Sequence, residues 1–452
     1  MMNFSAAVIS SSKREPTVAF PTTLEKEYVG PLYGKYIPNS NYYNVVVNDS
    51  NYDNTSLSKI GYVFSSNPFK DVSSIRFQAD RRRASSFDLD ELKKLVRNGD
   101  ANTPFDVSLL TKEAQQIFED ECLSASTVVG YRDESGLVLI SLSDMKECVV
   151  ERYSLKLDVF SRNVGILESD IMLSKKAVLI GCGSVCSLVA LELAKSGVGN
   201  FMLIDSDIMG YHNICRHQCG MLDVGRYKTE ALKDRILQIN PYANVITYND
   251  IIQHVPLDEL SSFCNEDTIF IGGADNREGD LYANQLAIES HSPFMSIGCW
   301  ERAYAGEIFY CLPEGMPTYT DLMATVGGVS GRVNQNRKFY TTEAELEKAS
   351  FEPGISADID FVTVIAVKIA LDLLNRNNEN YKPRVINHLT QFTLVCNTCS
   401  DCDPIFSHPL QITTSLVVPY ANGTLPTANV EEELTLADSS TDNCDKKSEE
   451  EI

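Results

Sequence analysis

A short apolar segment that ends in closely spaced glycines and leads into a helical pattern constrains the fold of this chain most. Residues 175–183 read KKAVLIGCG, and residues 187–199 read SLVALELAKSGVG, which has helical periodicity and ends in glycines. Glycines at such a turn let backbone approach phosphates, and a helix N-terminus presents N–H groups to anions. Gly181 and Gly183 are therefore predicted to bind a nucleotide, with the small residue Cys186 at the third glycine position. A turn of this kind also occurs without any ligand.

Strand-like and helix-like segments alternate after this turn. The apolar segments NFMLIDSD, NVITYN, DTIFIGGAD and PFMSIG read as strands, and YKTEALKDRILQINP reads as a helix between the first two. Alternation of this length indicates a parallel sheet with right-handed crossovers. We predict an α/β fold, a Rossmann-like and mostly parallel sheet flanked by helices, with an apolar helix over residues 354–374 packed on the sheet or at a subunit contact.

An acidic residue follows the second predicted strand. Asp205 lies 22 residues beyond Gly183, at the position where an acid hydrogen-bonds ribose hydroxyls. At this point an NAD(P)-linked oxidoreductase explains the pattern as well as an ATP-dependent enzyme does.

The residues that follow separate these two readings. They form an ordered set: Asp205 and Asp207, then Asn213-Ile214-Cys215-Arg216-His217, then Asp223-Val224-Gly225 with Lys228, then INP at 239–241, GGADN at 272–276 and, upstream, ERYS at 151–154. This set resembles the ThiF/MoeB/ubiquitin-activating superfamily, whose pattern is D-x-D, N-L-x-R-Q and D-x-G-x-x-K. An oxidoreductase has no role for the two cations, Arg216 and Lys228.

The resemblance implies an ATP-dependent adenylation site. Arg216 and Lys228 would neutralise the phosphates, since arginine grips oxygens bidentately and lysine acts as a point charge. Asn213 would hydrogen-bond a phosphate or the attacking carboxylate, and Asp275 would hold Mg²⁺ through oxygen ligands. The rest of the nucleotide site would comprise Ser184, Asp205, Asp207 and Asn276. The product is an acyl-adenylate and pyrophosphate.

The family also carries two Cys-x-x-Cys pairs that bind zinc. The second pair resembles Cys396 and Cys399, whereas no cysteine occurs in PEGMPTYTD, where the first is expected. A tetrahedral site needs four ligands, so Cys311 or Cys402 would have to complete it. The alternative is a cluster of reduced cysteines on a loop.

Three further positions depart from the family. Leu155 stands where an arginine reaches a neighbouring subunit's nucleotide, with Lys156 or Arg162 as possible substitutes, and Asp280 replaces a second arginine. Ubiquitin-activating relatives form a thioester in the crossover region, but no cysteine occurs from Leu312 to Val395, which leaves Cys299 and Cys311 nearby. A degenerate, non-catalytic nucleotide-binding scaffold therefore remains an alternative.

Residues outside the central domain are predicted from weaker patterns. Residues 1–150 are predicted to form an N-terminal α+β accessory domain for substrate recognition, with a helix in SSFDLDELKKLVRNG, a helix in SLLTKEAQQIFEDECL and a hairpin turning at residues 133–136. Two helices and a hairpin suggest a small winged-helix-like unit. The adenylation domain is predicted over 151–405, a C-terminal extension over 406–430, and a disordered acidic tail over 431–452.

Composition limits the partners. The formal charge is −23, which argues against binding to a nucleic-acid backbone, including the tRNA substrates of some relatives. The chain has no run of 18 apolar residues, so no membrane span is predicted. An odd count of 13 cysteines favours a reducing, cytoplasmic location. The resemblance implies a homodimer and a substrate carboxylate at the C-terminus of a ubiquitin-like protein or peptide.

Overall fold

Two compact units make up the protein, and each is described here by itself. They fall within Met1–Arg162 and Asn163–Ile452. The computed structural model describes residues 15–24, 27–47, 57–70, 107–123, 127–134, 136–143, 145–273, 277–313, 315–325, 354–397 and 410–417. Within these ranges, no helix combines the length and the apolar character needed to cross a membrane.

The first unit is built on one eight-stranded sheet. Its strands are β1 (Thr17–Pro21), β2 (Gly30–Ile37), β3 (Tyr42–Val47), β4 (Ser58–Val63), β5 (Val128–Asp133), β6 (Gly136–Ser141), β7 (Lys146–Glu147) and β8 (Val149–Tyr153). Their order in the sheet is β7-β6-β5-β4-β2-β3-β1-β8. Alternate side chains of these strands, Val18, Phe20, Leu32 and Tyr43 among them, form a buried core.

Two of the elements predicted for this unit are confirmed. The hairpin is β5 and β6, which pair antiparallel with Asp133 opposite Gly136. The second helix is α1 (Lys112–Asp120), which begins where the Thr111 hydroxyl accepts a hydrogen bond from the Ala114 N–H at 3.3 Å. The first helix, over residues 85–99, lies outside the described residues.

The winged-helix-like grouping is wrong, because β5 pairs with β4 and so makes the hairpin part of the larger sheet. The residues before 70 supply four strands of that sheet, which their polar and tyrosine-rich composition did not indicate. The segment that resembles the start of the family's domain, ERYS, lies in β8 and just after it.

The second unit contains the predicted α/β sheet, also eight-stranded. Its strands are β9 (Lys176–Ile180), β10 (Asn200–Ile204), β11 (Asn244–Tyr248), β12 (Thr268–Gly272), β13 (Phe294–Cys299), β14 (Ala305–Cys311), β15 (Phe392–Cys396) and β16 (Ile412–Ser415). The order is β11-β10-β9-β12-β13-β14-β15-β16. The first five strands are parallel, and the last three pair antiparallel. The mostly parallel sheet is therefore confirmed.

Helices flank this sheet. They are α2 (Ser169–Ser174), α3 (Ser184–Lys195), α4 (Lys228–Ile239), α5 (Leu257–Phe263), α6 (Arg277–Glu289), α7 (Tyr319–Thr325) and α8 (Ser356–Leu374). The long apolar helix is α8, which packs against α3 and against β12, β13 and β14, as the first of its two predicted positions requires. The central strands are continuous runs of buried residues because helices cover both faces.

The strand order places a crevice at one edge of this sheet. From β9 the chain moves outward through β10 and β11, then returns to the other side of β9 to form β12 and β13. The connections after β9 and β12 therefore diverge at the carboxyl ends of two adjacent strands. Open α/β sheets bind ligands at such a switch point. Both glycine-containing segments, at 181–183 and at 272–273, lie there.

Candidate nucleotide-binding site

The glycine turn after β9 has a backbone shape that suits an anion. Gly181 has φ of 84°, a left-handed conformation that side-chain-bearing residues rarely adopt. Gly183 is the residue before the first turn of α3, and a Cβ placed on it would meet nothing within 4 Å. The first-turn N–H groups of α3, which begins at Ser184, have no intrahelical acceptor. This end of α3 therefore offers open space, N–H donors and the positive end of a helix dipole.

The close helix–strand packing that the third glycine of the motif allows depends here on a different residue. Cys186 is buried on α3, and a Cβ added to Gly273 would lie 2.5 Å from the Cys186 Sγ. Gly273 in turn donates its N–H to the Ile180 oxygen at 3.0 Å. The space for close helix–strand packing thus comes from Gly273 rather than from a glycine on the helix.

Asp205 lies at the centre of this edge of the sheet. One carboxylate oxygen accepts the Cys182 N–H at 2.6 Å, and the other accepts the Asp207 N–H at 2.7 Å. An ionised carboxylate has about four acceptor positions, so each oxygen keeps one for a further donor. The arrangement therefore fixes the glycine turn and leaves acceptors suited to ribose hydroxyls.

We expect Asp205→Ala to weaken both folding and ATP binding. The partly buried Cys182 N–H and the exposed Asp207 N–H would lose their acceptor, and the loss at Cys182 lowers the free energy of unfolding by about 1–3 kcal/mol. The loss of a charge-assisted hydrogen bond to ribose lowers ATP affinity at least about tenfold. Chemical denaturation and ATP titration measure the two effects. Asp205→Asn, which keeps one acceptor oxygen, is the matched control, and equal ATP affinity in all three proteins would contradict the ribose assignment.

Lys228 brings a cation to the same edge. It is the first residue of α4, its side chain is 10% exposed, and its Nζ lies 2.6 Å from an Asp207 carboxylate oxygen. Burial is the main influence on the pKa of the Cys182 thiol and on that of the His217 ring, and the positive charge of Lys228 lowers both pKa values. Lys228 therefore lies beside the glycine turn. Since Asp207 is exposed, a phosphate could replace it as the partner of this ammonium group.

The segment that carries Asn213 and Arg216 is a set of tight turns. The Asn213 side-chain oxygen accepts the Gly210 N–H at 2.8 Å, so its amide nitrogen is the end that can donate to a ligand. The Arg216 N–H donates to the Asn213 carbonyl oxygen at 3.0 Å. Both residues are partly buried. This main-chain hydrogen bond therefore fixes the position of Arg216 relative to Asn213.

Sequence reasoning missed the contact that joins this segment to the glycine turn. The His217 ring lies 2.6 Å from the Cys182 carbonyl oxygen through Nε2 and accepts the Cys219 N–H at 3.0 Å through Nδ1. The signal was present in the sequence, since His217 occupies the glutamine position of the family pattern. A histidine there still offers one donor and one acceptor.

The D-x-G-x-x-K segment is held by an ion-pair network. Asp223 accepts the Gly220 N–H at 2.9 Å, and its second oxygen lies 3.0 Å from Arg226. Arg226 also lies 2.8 Å from the carboxylate of Asp234 on α4. The network connects the turn before α4 to α4 itself, and so it fixes where Lys228 begins the helix.

Two predicted site residues, Asp275 and Asn276, lie outside the described residues, between β12 and α6. The residue after them, Arg277, is described. It donates to Tyr319 Oη at 2.7 Å and lies 3.3 Å from the carboxylate of Glu307 on β14. The Trp300 indole N–H donates to the other Glu307 oxygen at 3.0 Å. This buried polar cluster anchors the start of α6 directly after the predicted magnesium ligand.

Asp280, which replaces a family arginine, is buried one turn further along α6. It accepts a hydrogen bond from the Ser296 hydroxyl at 2.7 Å, and a Cβ on Gly272 would lie 2.1 Å from its Oδ1. The carboxylate thus packs directly against the end of β12. Arg277 forms an ion pair with Glu307 in this region, one helical turn from the position where the family has its cation.

The cysteines were predicted either as zinc ligands or as the site of a thioester. Cys396 is buried within β15, and Cys399 lies outside the described residues. Among the described residues, no group of three or more His, Cys, Asp or Glu side chains is arranged to hold a metal ion. Burial raises the pKa of the Cys311 thiol to about 12, and this thiol donates to Asn284. Cys311 is therefore a poor candidate for a thioester.

The other departure lies in the first unit. Leu155 begins a short π-helical turn over Leu155–Val159 and is partly buried. The two proposed substitutes for the missing arginine, Lys156 and Arg162, are exposed. Whether either reaches a neighbouring subunit stays a prediction.

Comparison with known families agrees with the motif order. A family model described as the ThiF family matches residues 157–405, which is more than half of the 452-residue chain. The match begins after β8 and ends beyond β15, so it covers the glycine turn, the segment 205–228 and α8.

Three individual proteins illustrate the similarity. The chain is 28% identical over 176 residues to the probable adenylyltransferase/sulfurtransferase MoeZ of Mycobacterium tuberculosis, covering 38% of this chain and 44% of that protein. It is 26% identical over 180 residues to the sulfur carrier protein ThiS adenylyltransferase of Bacillus subtilis, covering 37% of this chain and 53% of that protein. A crystal structure of E. coli MccB with ATP aligns with a TM-score of 0.43 and 18% identity, over 59% of this chain and 74% of that one. The chain thus spans about half the length of these two curated relatives.

Proposed function

The chain belongs to the ThiF family, and on that premise we propose that it is an ATP-dependent adenylyltransferase that activates a carboxylate as an acyl-adenylate. The observation that carries the proposal is the meeting of three groups at one edge of the sheet. They are the glycine turn with Gly183 facing open space, the ribose-type acid Asp205, and the buried Lys228 ammonium.

In the proposed reaction a substrate carboxylate oxygen attacks the α-phosphorus of ATP. A bond forms between that carboxylate oxygen and the α-phosphorus, the bond between the α-phosphorus and the oxygen that bridges to the β-phosphorus breaks, and pyrophosphate leaves. Asp205 would bind the ribose, and the first-turn N–H groups at Ser184 would cradle phosphate. Lys228 and Arg216 would neutralise the charge that moves onto pyrophosphate, while Asn213 donates to the incoming carboxylate. The protein positions the reactants and stabilises charge, and it needs no nucleophile of its own for this step.

We propose Asp275 as the ligand of a magnesium ion, with Asn276 beside it. The carboxylate chemistry fits, since Mg²⁺ prefers oxygen ligands, and the segment follows β12, whose neighbour Gly273 is hydrogen-bonded to β9 beside the glycine turn. The ion would neutralise phosphate charge. For zinc, the described residues hold no group of three or more His, Cys, Asp or Glu side chains around Cys396, and no zinc site is proposed.

We expect Asp275→Asn to raise the magnesium concentration needed for half-maximal activity by at least about tenfold. Replacing a carboxylate by an amide removes one negative charge from the ligand set, and one lost charge-assisted interaction has about this effect. Magnesium titrations of wild type and variant measure it. The exposed Asp250→Asn is the control, and superimposable titrations of wild type and Asp275→Asn would contradict the role.

The substrate is proposed to be the C-terminal carboxylate of a ubiquitin-like protein or a peptide. The support is that one relative is named for adenylating the sulfur carrier protein ThiS. Residues 1–150 are proposed as the substrate-recognition domain, ahead of an adenylation domain over 151–405, and the protein is proposed to act as a cytoplasmic homodimer. The charge of −23 disfavours a tRNA substrate.

Two other functions fit parts of the sequence. An NAD(P)-linked oxidoreductase loses its support, because the family match and the buried Lys228 have no place in it. A degenerate scaffold would bind ATP weakly or not at all, and the experiment that follows distinguishes it from an enzyme.

The test of the proposed function is product analysis by phosphorus NMR. The purified protein is incubated with Mg²⁺, ATP and a panel of small proteins and peptides that end in free carboxylates. Attack at the α-phosphorus gives the acyl-adenylate and pyrophosphate, and hydrolysis of the acyl-adenylate then releases AMP. These products are expected only when the matching substrate is present. Formation of ADP and phosphate instead would contradict adenylation, and ATP unchanged with no binding would support the scaffold.

A further inference from the structure

His217 is held in one protonation state by its two contacts. A backbone N–H can only donate, so the Nδ1 atom that accepts from Cys219 at 3.0 Å carries no proton. The neutral ring must then carry its proton on Nε2, which donates to the Cys182 carbonyl oxygen at 2.6 Å. The side chain is 7% exposed, so water cannot readily replace either partner. The structure therefore requires neutral His217 in its Nε2–H form.

This ring joins two parts of the candidate site. Cys182 lies in the glycine turn, and its own N–H donates to the ribose-type acid Asp205. On the other side, the His217 main-chain N–H donates to the main-chain carbonyl oxygen of Asn213 at 2.9 Å. Among the described residues, the Gln218 N–H also connects this segment to α3 through the Ser187 hydroxyl at 3.3 Å. The imidazole is therefore one of the contacts that set the position of Asn213 and Arg216 relative to the glycine turn.

We propose that His217 is a positioning residue that assembles the nucleotide site only while its ring is neutral, so that ATP binding is lost when the ring is protonated. This inference rests on the proposed function for its ligand. A second proton would go to Nδ1 and place an N–H directly against the Cys219 N–H. The bond from Nε2 to the Cys182 oxygen is kept, but two donors facing each other in a buried place repel. The turn at residues 217–219, and with it the segment that carries Asn213 and Arg216, would therefore have to shift.

The surroundings of the ring, burial above all, favour its neutral form. Burial is the largest influence and lowers the pKa of His217 below its ordinary value of 6.5, and the Lys228 ammonium also lowers it. The hydrogen bond to Cys182 and the carboxylates of Asp205 and Asp223 act in the opposite direction. The sign follows from this balance. A depressed pKa means that the interaction is fully present above pH 6.5 and is lost as the pH falls through the lower folded-state value.

The pH dependence follows from the presence of histidine at position 217. The related pattern has glutamine here, and its amide also offers one donor and one acceptor but does not titrate between about pH 5 and pH 8. Histidine reproduces the two hydrogen bonds and adds a proton-dependent loss of one of them. His217→Gln is therefore a matched variant that keeps the contacts and removes the titration.

The first arm of the test measures binding of the non-hydrolysable ATP analogue AMPCPP to wild type, His217→Gln and His217→Ala from about pH 8 to about pH 5. Each pH unit below the pKa removes about tenfold of the neutral form, and apparent affinity falls with it. We expect wild-type affinity to fall relative to that of His217→Gln by about tenfold for each pH unit below the folded-state pKa of His217. His217→Ala should bind weakly at every pH. Protonation of the nucleotide itself cancels between the proteins, because it is the same for all three.

The second arm needs no nucleotide. The chemical shifts of the His217 ring nitrogens are followed with pH, and thermal unfolding midpoints of wild type and His217→Gln are compared over the same range. An Nε2–H ring at neutral pH and a wild-type midpoint that drops more steeply on acidification are the expected results. Parallel binding curves and parallel midpoints would overturn the inference. A protein that never binds the analogue would refute the proposed function and the nucleotide part of the inference, while the ring shifts still decide the tautomer and its titration.

Discussion

Replacing Lys228 with methionine is expected to lower carboxylate-dependent ATP–pyrophosphate exchange by about 100- to 1,000-fold, the usual effect of removing one preorganised charge from a transition state. The Nζ is almost buried and lies beside the glycine turn, where a low local dielectric strengthens its attraction for phosphate. Methionine has nearly the same length, so packing of α4 is kept. The loss should therefore appear in exchange rate while the unfolding midpoint changes little.

The control for this variant lies on the neighbouring helix. Lys195→Met removes a lysine whose side chain is 55% exposed at the far end of α3, where it pairs with Glu192. Its exchange rate should equal that of wild type. If Lys228→Met kept an exchange rate within about threefold of wild type, the ammonium would not act on the phosphates, and the site assignment would fail.

Removing the Glu307 carboxylate should destabilise the protein by about 3–5 kcal/mol, because it leaves a largely buried charge without its partner. Glu307 is 4% exposed and receives hydrogen bonds from Arg277 and Trp300. In Glu307→Ala both donors lose that acceptor. Equilibrium denaturation in urea, with the slope monitored for two-state behaviour, measures the change.

A double variant tests whether this loss comes from the charge rather than from the cavity. Glu307→Leu with Arg277→Met replaces the ion pair by apolar side chains of similar size, a change that is often neutral or stabilising. The double variant should therefore be more stable than the single variant Glu307→Leu, which fills the same space but leaves Arg277 unpaired, by at least about 1 kcal/mol, a coupling expected of residues in contact. Equal loss in both proteins would mean that packing, not pairing, is what Glu307 provides.

Periodicity and motif order were enough to predict the α/β part of the fold. The apolar runs that became β9, β10 and β12 are covered by helices on both faces, so every residue after the first is apolar or glycine and the pattern is clear. Asp205 was predicted from its place after the second strand, and Lys228 from the resemblance to the family's D-x-G-x-x-K pattern. The structure brings both to the predicted edge.

Other features depend on contacts that no local pattern encodes. Strands β14 to β16 pair antiparallel across long intervening segments, and β14 is buried throughout, so it shows no alternation. The pairing of His217 with Cys182 joins residues 35 positions apart, and only its three-dimensional geometry shows which ring nitrogen is protonated. Residues before 70 lacked a periodic signal, yet four of their segments became strands of the first sheet.

The central claim is that the site forms an acyl-adenylate reversibly, and ATP–pyrophosphate exchange tests it most directly. Radioactive pyrophosphate is supplied with ATP, Mg²⁺ and the panel of proteins and peptides that end in free carboxylates, and its entry into ATP is measured for wild type and Lys228→Met. We expect exchange that requires one class of carboxylate and is lost in the variant. ATP binding with the matching carboxylate present, but with no exchange in wild type, would contradict acyl-adenylate chemistry at this site.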